Sequence, residues 1–421
     1  MLNALPNFPL YDFTVVAGDA SADAVFTVRL DSTGEQHSQA KLRSWLPVLD
    51  VEHGQVDLET LATFISQEVR KAFEDEHSSL SYLLSDTPFA TGKETFPSPG
   101  EKARLEARTT RAFKYASKHH LTFSLFASSS LPSAWDIEEA LAQYLDPLIQ
   151  RLSSVSLITV ETQVQLHASF SPSIAGPTYD DQTGQWKLRK TDLSGFINAA
   201  EWPLSPSIGS GPTINFVLYV PSIEQSPLVV AETGGNSWLI PQWGGVQILN
   251  PKDTQPGELS VKDLEPVMLT FADQLMSLLG VPYSPISLSM RISSLKRERA
   301  TSLILSASST LGALVRLTRK LESIAIPASV ATSVDATISH LEQACQGLRA
   351  GRFQEALEHA RVAEAEAEKA FFEPSMVGQV YFPDEHKVAV YVPLLGPMAV
   401  PLVMSALKEL RGLRQRKVKT S

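Results

Sequence analysis

Nine histidines, one cysteine and 46 carboxylates are the groups in this 421-residue chain that could carry acid–base, metal or nucleophilic chemistry. Their spacing builds no familiar site. There is no HExxH to set two imidazoles on one helical face beside a carboxylate, and no other histidine spacing suggests a metal centre. His119 and His120 are adjacent, so on a strand or a helix they point to different faces; the pair reads as solvated or loop histidines. Asp180–Asp181 and Glu138–Glu139 read as solvated surface pairs. No GxSxG elbow presents a serine, and neither GxxxxGK[ST] nor GxGxxG cradles a phosphate. Gly209–Ser210–Gly211 runs into Pro212, which has no amide hydrogen to offer an anion. A lone Cys345 excludes an intrachain disulfide, CxxC redox chemistry and a Cys-based zinc site, although it leaves the compartment open. The residues therefore predict no catalytic group, no metal and no cofactor. A hydrolase whose Ser, His and Asp meet only in the fold stays as one rival reading.

Two stretches favour recognition over reaction. In WLIPQWGG (238–245) two tryptophans stand five residues apart beside two glycines. Trp238, Pro241, Trp243, Gly244 and Gly245 could form a stacking platform for a glycan or a protein, since tryptophans anchor interfaces. The plainer reading is a turn whose tryptophans plug a sheet edge. The second stretch lies near the C-terminus, where Pro393, Pro397 and Pro401 share one helical face with Gly396, and a small residue there lets another helix approach.

The elements that would position these residues follow from periodicity. Strands are expected at YDFTVV (11–16), AVFTVRL (24–30), SLSYLL (79–84), LTFSLFA (121–127), Ser156–Ala168 and INFVLYVP (214–221). WLI and GVQIL read as a meander after the TGGNS turn. Helices are expected over Asp57–Glu76, Glu101–Lys118, Ser133–Leu152 and Pro266–Leu279. Ser133 and Asp136 have capping spacing in the third of these, and Pro147 should kink it. Thr87–Gly100 and 170–212 read as loops, the latter around Trp186 and Trp202. From about Ser289, Ala, Glu, Leu and Arg replace Gly and Pro. Three helices are read at 290–325, 329–350 and 353–372. Gly351 turns the last two into a hairpin, and Phe353, Ala356, Leu357, Ala360, Ala363, Ala367, Ala370 and Phe371 form a stripe.

Composition sets the class. Hydrophobic residues are 43% and charged residues 19% of the chain, enough for a packed core. The net charge is −10; the last fourteen residues contribute +5, leaving −15 on residues 1–407. An acidic body argues against nucleic acid as a partner, because phosphate binding needs clustered Lys and Arg.

The N-terminal MLNALPNFPLYDF has neither a basic start nor a long apolar run, so it is not a signal peptide. Val388–Leu407 is twenty residues without a charge, roughly 30 Å as a helix, which matches a bilayer core. Basic residues follow it, so the tail is expected in the cytosol and the body on the other side. A tail anchor without a leader would leave the body in the cytosol, so a further membrane segment upstream of Met1 is expected. The fold expected is thus a mixed α/β lumenal domain (1–285), a helical region (286–387), a transmembrane helix (388–407) and a basic cytosolic tail (408–421).

Four blocks together resemble one family: WDIEEALAQYLDPLI (135–149), NFVLYVP (215–221), PQWGGVQILN (241–250) and AFFEPSMVGQVYFPDEHKVAVYVPLLGPMAVP (370–401). They look like PIG-S, the class S subunit of the glycosylphosphatidylinositol (GPI) transamidase, from about residue 120 onward. The resemblance implies a non-catalytic subunit of the endoplasmic reticulum membrane, partnered by the other transamidase subunits. That complex removes a C-terminal signal from a precursor and joins the new carboxyl end to GPI, with another subunit supplying the nucleophile. It also implies two membrane helices around a large lumenal domain. The rival reading is a lumenal glycan-binding membrane protein that uses WLIPQWGG.

Overall fold

Lys118–Ala127 (KHHLTFSLFA) is buried along nearly its whole length, as a strand inside a parallel sheet must be. The computed structural model describes residues 27–32, 39–42, 48–53, 57–85, 99–168, 176–192, 211–251, 256–283, 287–320, 326–376 and 384–418. In chain order the elements are β1 (Thr27–Ser32), β2 (Gln39–Leu42), β3 (Val48–His53), α1 (Leu58–Ala72), α2 (Glu74–Ser85), α3 (Pro99–Arg111), β4 (Lys118–Ala127), β5 (Ala134–Trp135), α4 (Ile137–Ala140), a π-helical stretch (Leu141–Leu145) and α5 (Asp146–Leu152). Then come β6 (Leu157–Gln165), β7 (Thr178–Asp180), β8 (Gln185–Leu188), β9 (Thr213–Val220), β10 (Leu228–Val230), β11 (Ser237–Ile240), β12 (Gly244–Ile248), β13 (Glu258–Leu259) and α6 (Val261–Leu278). The helices α7 (Leu288–Lys320), α8 (Ala328–Arg349), α9 (Phe353–Phe371) and α10 (Asp384–Val418) follow.

The chain divides into two units, Met1–Ser302 with Gly347–Leu357, and Leu303–Gln346 with Glu358–Ser421. In the first, a five-stranded sheet has the order β11-β12-β9-β4-β6. Only β11 runs antiparallel; the other neighbours are parallel, with His120 opposite Thr213 and Lys118 opposite Leu157. Alternation sorts the side chains onto two faces. On one face, Phe123 and Phe216 stack 5.1 Å apart and both meet Phe271 of α6. On the other, Phe126, Val217, Tyr219, Val246 and Ile248 pack with Leu188, Leu228 and Val230 of a small β10-β8-β7 sheet. A third sheet, β1-β3-β2, buries Leu49 and Val51 against Leu61, Ile65 and Val69 of α1.

The second unit is held together by alanine. Ala363 and Ala367 of α9 meet Ala307 of α7, and Leu314, Val330, Ala370 and Met376 form a second cluster. Small side chains let the helix axes come close, which the stripe in 353–371 predicted. The mixed α/β class and the three long helices after residue 288 follow the sequence reading.

Several local expectations are corrected. SLSYLL is not a strand but part of α2. Three acidic residues, Glu74, Asp75 and Glu76, open that helix, where its dipole favours them. The charged helix over 101–118 stops at Arg111, because the chain must join the sheet at Lys118. Ser133 caps nothing: its amide binds the Gly257 carbonyl beside the β5–β13 pair. Asp136 holds the cap position without a side-chain bond. Pro147 sits in the first turn of α5, directly after the π-helical stretch that absorbs the irregularity. Trp186, read as a loop residue, lies on β8 and pairs opposite Tyr179. YDFTVV, residues 87–98 and Trp202 lie outside the described residues.

Candidate functional site

His119 and His120 are not solvated. They are 2% and 4% exposed, on opposite faces of β4. His119 Nδ1 lies 2.7 Å from Ser156 Oγ, the Ser–His contact a hydrolase would need. The proton inventory decides its role. Ser156 has one hydroxyl hydrogen and donates it to the Ala116 carbonyl at 2.9 Å. Nδ1 must therefore carry the proton and donate to Ser156, so it cannot act as that serine's base. Nε2 is left buried, with neither a carboxylate nor any other hydrogen-bond partner among the described residues. Burial, with the Arg299 charge adding, pushes the imidazole down to about 4, so it is neutral at pH 7. His120 makes the same kind of contact, 2.6 Å to Thr159.

The cavity beside His119 is about 20 Å³, lined by Phe113, Tyr115, Leu152, Leu295 and Arg299 among others. That volume suits a single water and no substrate. Arg299 uses one amino group on the Leu279 carbonyl at 2.9 Å.

A buried ionic cluster ties helices of the first unit together. Arg297 gives Glu76 two hydrogen bonds, 2.5 and 2.6 Å long, and Ser294 adds a third at 2.5 Å. The guanidinium also lies 4.5 Å from the Phe353 ring centroid. Arg108 pairs with Glu298 at 2.7 Å and with Ser79 at 2.8 Å. Burial raises the Glu298 carboxyl against the pull of Arg108. These charges fasten α2, α3, α7 and the start of α9. Sequence reasoning missed them, although a signal existed: Arg297-Glu298-Arg299 interrupts an apolar helix, and charges there need buried partners.

The WLIPQWGG turn is fixed from three sides. Gln242 has a left-handed backbone (φ 55°) and is held by its amide on the Arg111 carbonyl and its Nε2 on the Thr110 carbonyl. A Cβ on Gly244 would sit 1.8 Å from the Asn215 carbonyl oxygen, and one on Gly245 would sit 1.9 Å from Gln274 Oε1. Gly244 thus requires glycine, because the atoms in the way are backbone, whereas at Gly245 the Gln274 amide would have to move aside. Trp238 and Trp243 are half-buried, leaning with Trp186 and Ile240 on the Phe126–Val217–Tyr219 cluster. Pro241 is exposed at the turn.

Pro393, Gly396, Pro397 and Pro401 all lie inside α10, which continues through the three prolines. The fold thus brings the WLIPQWGG residues together in one turn and the proline-glycine residues together on one helix. Along 389–411 nearly every described side chain is exposed, including Val390, Val392, Leu395, Met398, Leu402 and Met404. Nothing comes within 4 Å of a Cβ placed on Gly396. Among the described residues, no group of three or more His, Cys, Asp or Glu could hold a metal ion.

A mixed α/β unit whose buried Glu76, Arg297 and Glu298 are held in ion pairs, together with a unit of alanine-packed helices, is the class of protein these features define. The chain belongs to the PIG-S family: the family described as phosphatidylinositol-glycan biosynthesis class S protein matches residues 14–416. It is similar to the GPI-anchor transamidase component PIGS of Rattus norvegicus, 32% identical over 324 residues, covering 71% of this chain and 58% of that protein. The GPI transamidase component PIG-S homolog of Schizosaccharomyces pombe is 34% identical over 333 residues (77% and 59%). GPI transamidase component GPI17 of Saccharomyces cerevisiae is 29% identical over 335 residues (73% and 60%). The chain spans about three-fifths of the length of these curated relatives.

Proposed function

We propose that the chain is a non-catalytic subunit of a GPI transamidase, the complex that attaches GPI anchors to precursor proteins. The observation that carries this reading is the family match across residues 14–416, with relatives that are named as components of that enzyme. The chemistry of the site supports the non-catalytic part: the His119–Ser156 contact has its protons the wrong way round for nucleophilic attack. Its contribution is then to hold other subunits, through the tryptophan turn, the face of α10 that carries Gly396 and Pro397, or both.

The body lies in the endoplasmic reticulum lumen and α10 crosses the membrane over 388–407, with its basic end in the cytosol. Exposed apolar side chains along that helix support this, since water would penalise them. By length and composition, the helix among the described residues that qualifies as a membrane crosser is α7, with 22% of its most apolar stretch buried. Its first half, however, buries Arg297 and Glu298 in ion pairs, and its second half packs on α9. The buried ion pairs in its first half argue against a span through α7.

Affinity purification of the tagged chain from membranes of its own cells, in mild detergent, tests the proposal. Co-purification of the other transamidase subunits is expected. Their absence, with the tagged chain folded and membrane-bound, would overturn it.

A further inference from the structure

We infer that one end of the second unit, formed by the C-terminus of α7, the start of α8 and the C-terminus of α9, rests on the surface of the bilayer. This deepens the membrane-span reading of α10 and depends on it. The three helix ends are brought together by Leu314, Val330, Ala370 and Met376, with Phe371 packed against them. Around that apolar plug, exposed apolar and basic side chains stand among small polar ones such as Ser329, Thr332 and Ser375. Phe372 is 63% exposed and Ile326 53%, and Val315 is also exposed. Arg316, Arg319 and Lys320 are exposed, with no ion pair to a described residue. Acids are present at this end as well: Glu373 is half-buried, and Glu368, in the last turn of α9, is exposed.

An exposed aromatic and a branched aliphatic beside three cations is a pattern suited to a lipid headgroup layer. Rings and aliphatic side chains enter the interface there, while cations meet phosphate. Chain continuity selects the occupant. Only residues 377–383 separate Met376 from α10, a tether of at most about 28 Å even when extended. The apolar stretch of α10 begins at Val388, four residues into that helix. This end of the unit is therefore held near the point where the chain enters the bilayer.

The test uses the full chain in lipid nanodiscs, with Cys345→Ser as background and single spin-labelled cysteines at four positions. Phe372→Cys and Ile326→Cys probe the proposed contact. Leu402→Cys probes the span, and Gln343→Cys, exposed on α8, reports the aqueous value. Collision rates are read with oxygen, which concentrates in lipid, and with a water-soluble nickel chelate. The expected result is lipid-like collision at Leu402, an intermediate oxygen preference at Phe372 and Ile326, and none at Gln343. Reversing Arg316, Arg319 and Lys320 to Glu should reduce the preference at Phe372 and leave Leu402 unchanged. If Leu402 reads as lipid while Phe372 and Ile326 match Gln343, the surface contact is wrong and the span stands. If Leu402 itself reads as aqueous, the span reading fails and takes this inference with it.

Discussion

The five-stranded sheet and helix α10 solve opposite problems. In the sheet unit, groups that could do chemistry are enclosed: His119, Glu76, Arg297 and Glu298 are all buried and held by specific partners. In α10 the apolar side chains face outward along more than twenty residues. The first arrangement uses polar groups for rigidity, and the second leaves an apolar surface without a covering partner among the described residues. The contrast teaches that the same chain encloses polar groups in one region and displays apolar ones in the other.

The sharpest way to break the contrast is at glycine. Gly244→Ala should destabilise the sheet unit by on the order of 4 kcal/mol or more, because the added methyl would overlap the Asn215 carbonyl and neither backbone can retreat. Loss of soluble, cooperatively unfolding protein in a thermal melt is the expected readout. A normal melt would mean that the β12–β9 pairing is looser than the geometry here.

Next in size is Arg297→Ala. It strands Glu76 in an interior where the carboxylate is 2% exposed, at a cost of roughly 3–5 kcal/mol in chemical denaturation. Replacing Arg297 and Glu76 together by Met and Leu should recover most of that loss, since a well-packed apolar pair can match a buried ion pair. If the single and double variants were equally damaged, the cluster would be acting through packing with Phe353 instead.

The legible parts of this molecule are those where one period dominates. The apolar runs of β4, β9 and β12 and the alanine stripe of α9 could be read directly, because each element buries the face its period predicts. The misread parts have their cause in distant residues. SLSYLL alternates like a strand, yet it lies in a helix pinned at Glu76 by an arginine 221 residues away. His119 and His120 look polar and solvated until β6 pairs alongside both of them and β9 alongside His120. The glycines of WLIPQWGG were legible as unusual, but the reason for them, contact with Asn215 and Gln274, exists only in three dimensions.

A third test uses pH. The unfolded His119 imidazole takes a proton near pH 6.5, which the folded protein refuses until about 4. Its contribution is therefore fully present above 6.5 and is lost as pH falls through that window, about 3 kcal/mol in all. Glu298, lifted by burial, pulls in the opposite direction, so the measurement is a difference. His119→Gln, which can still donate to Ser156, should flatten the fall in unfolding free energy between pH 6.5 and 4. An unchanged slope would mean that His119 is protonated in the folded state.

The smallest expected effect is the most telling for function. Gly396→Ala makes the same chemical change as Gly244→Ala, but open space surrounds it. In nanodiscs its melting behaviour should stay within about 1 kcal/mol of the original, the size of the Gly-to-Ala helix propensity difference. Gly396→Leu should also leave the isolated chain intact, since nothing lies within 4 Å for the larger side chain to strike at its base. If α10 presents this face to another membrane helix, that bulk should nonetheless lower recovery of the other transamidase subunits in the purification described above. Full recovery with Gly396→Leu would leave the tryptophan turn as the interface to pursue. A Gly396→Leu chain that failed to fold alone would show that α10 packs on its own unit, and the contrast between the two regions would collapse.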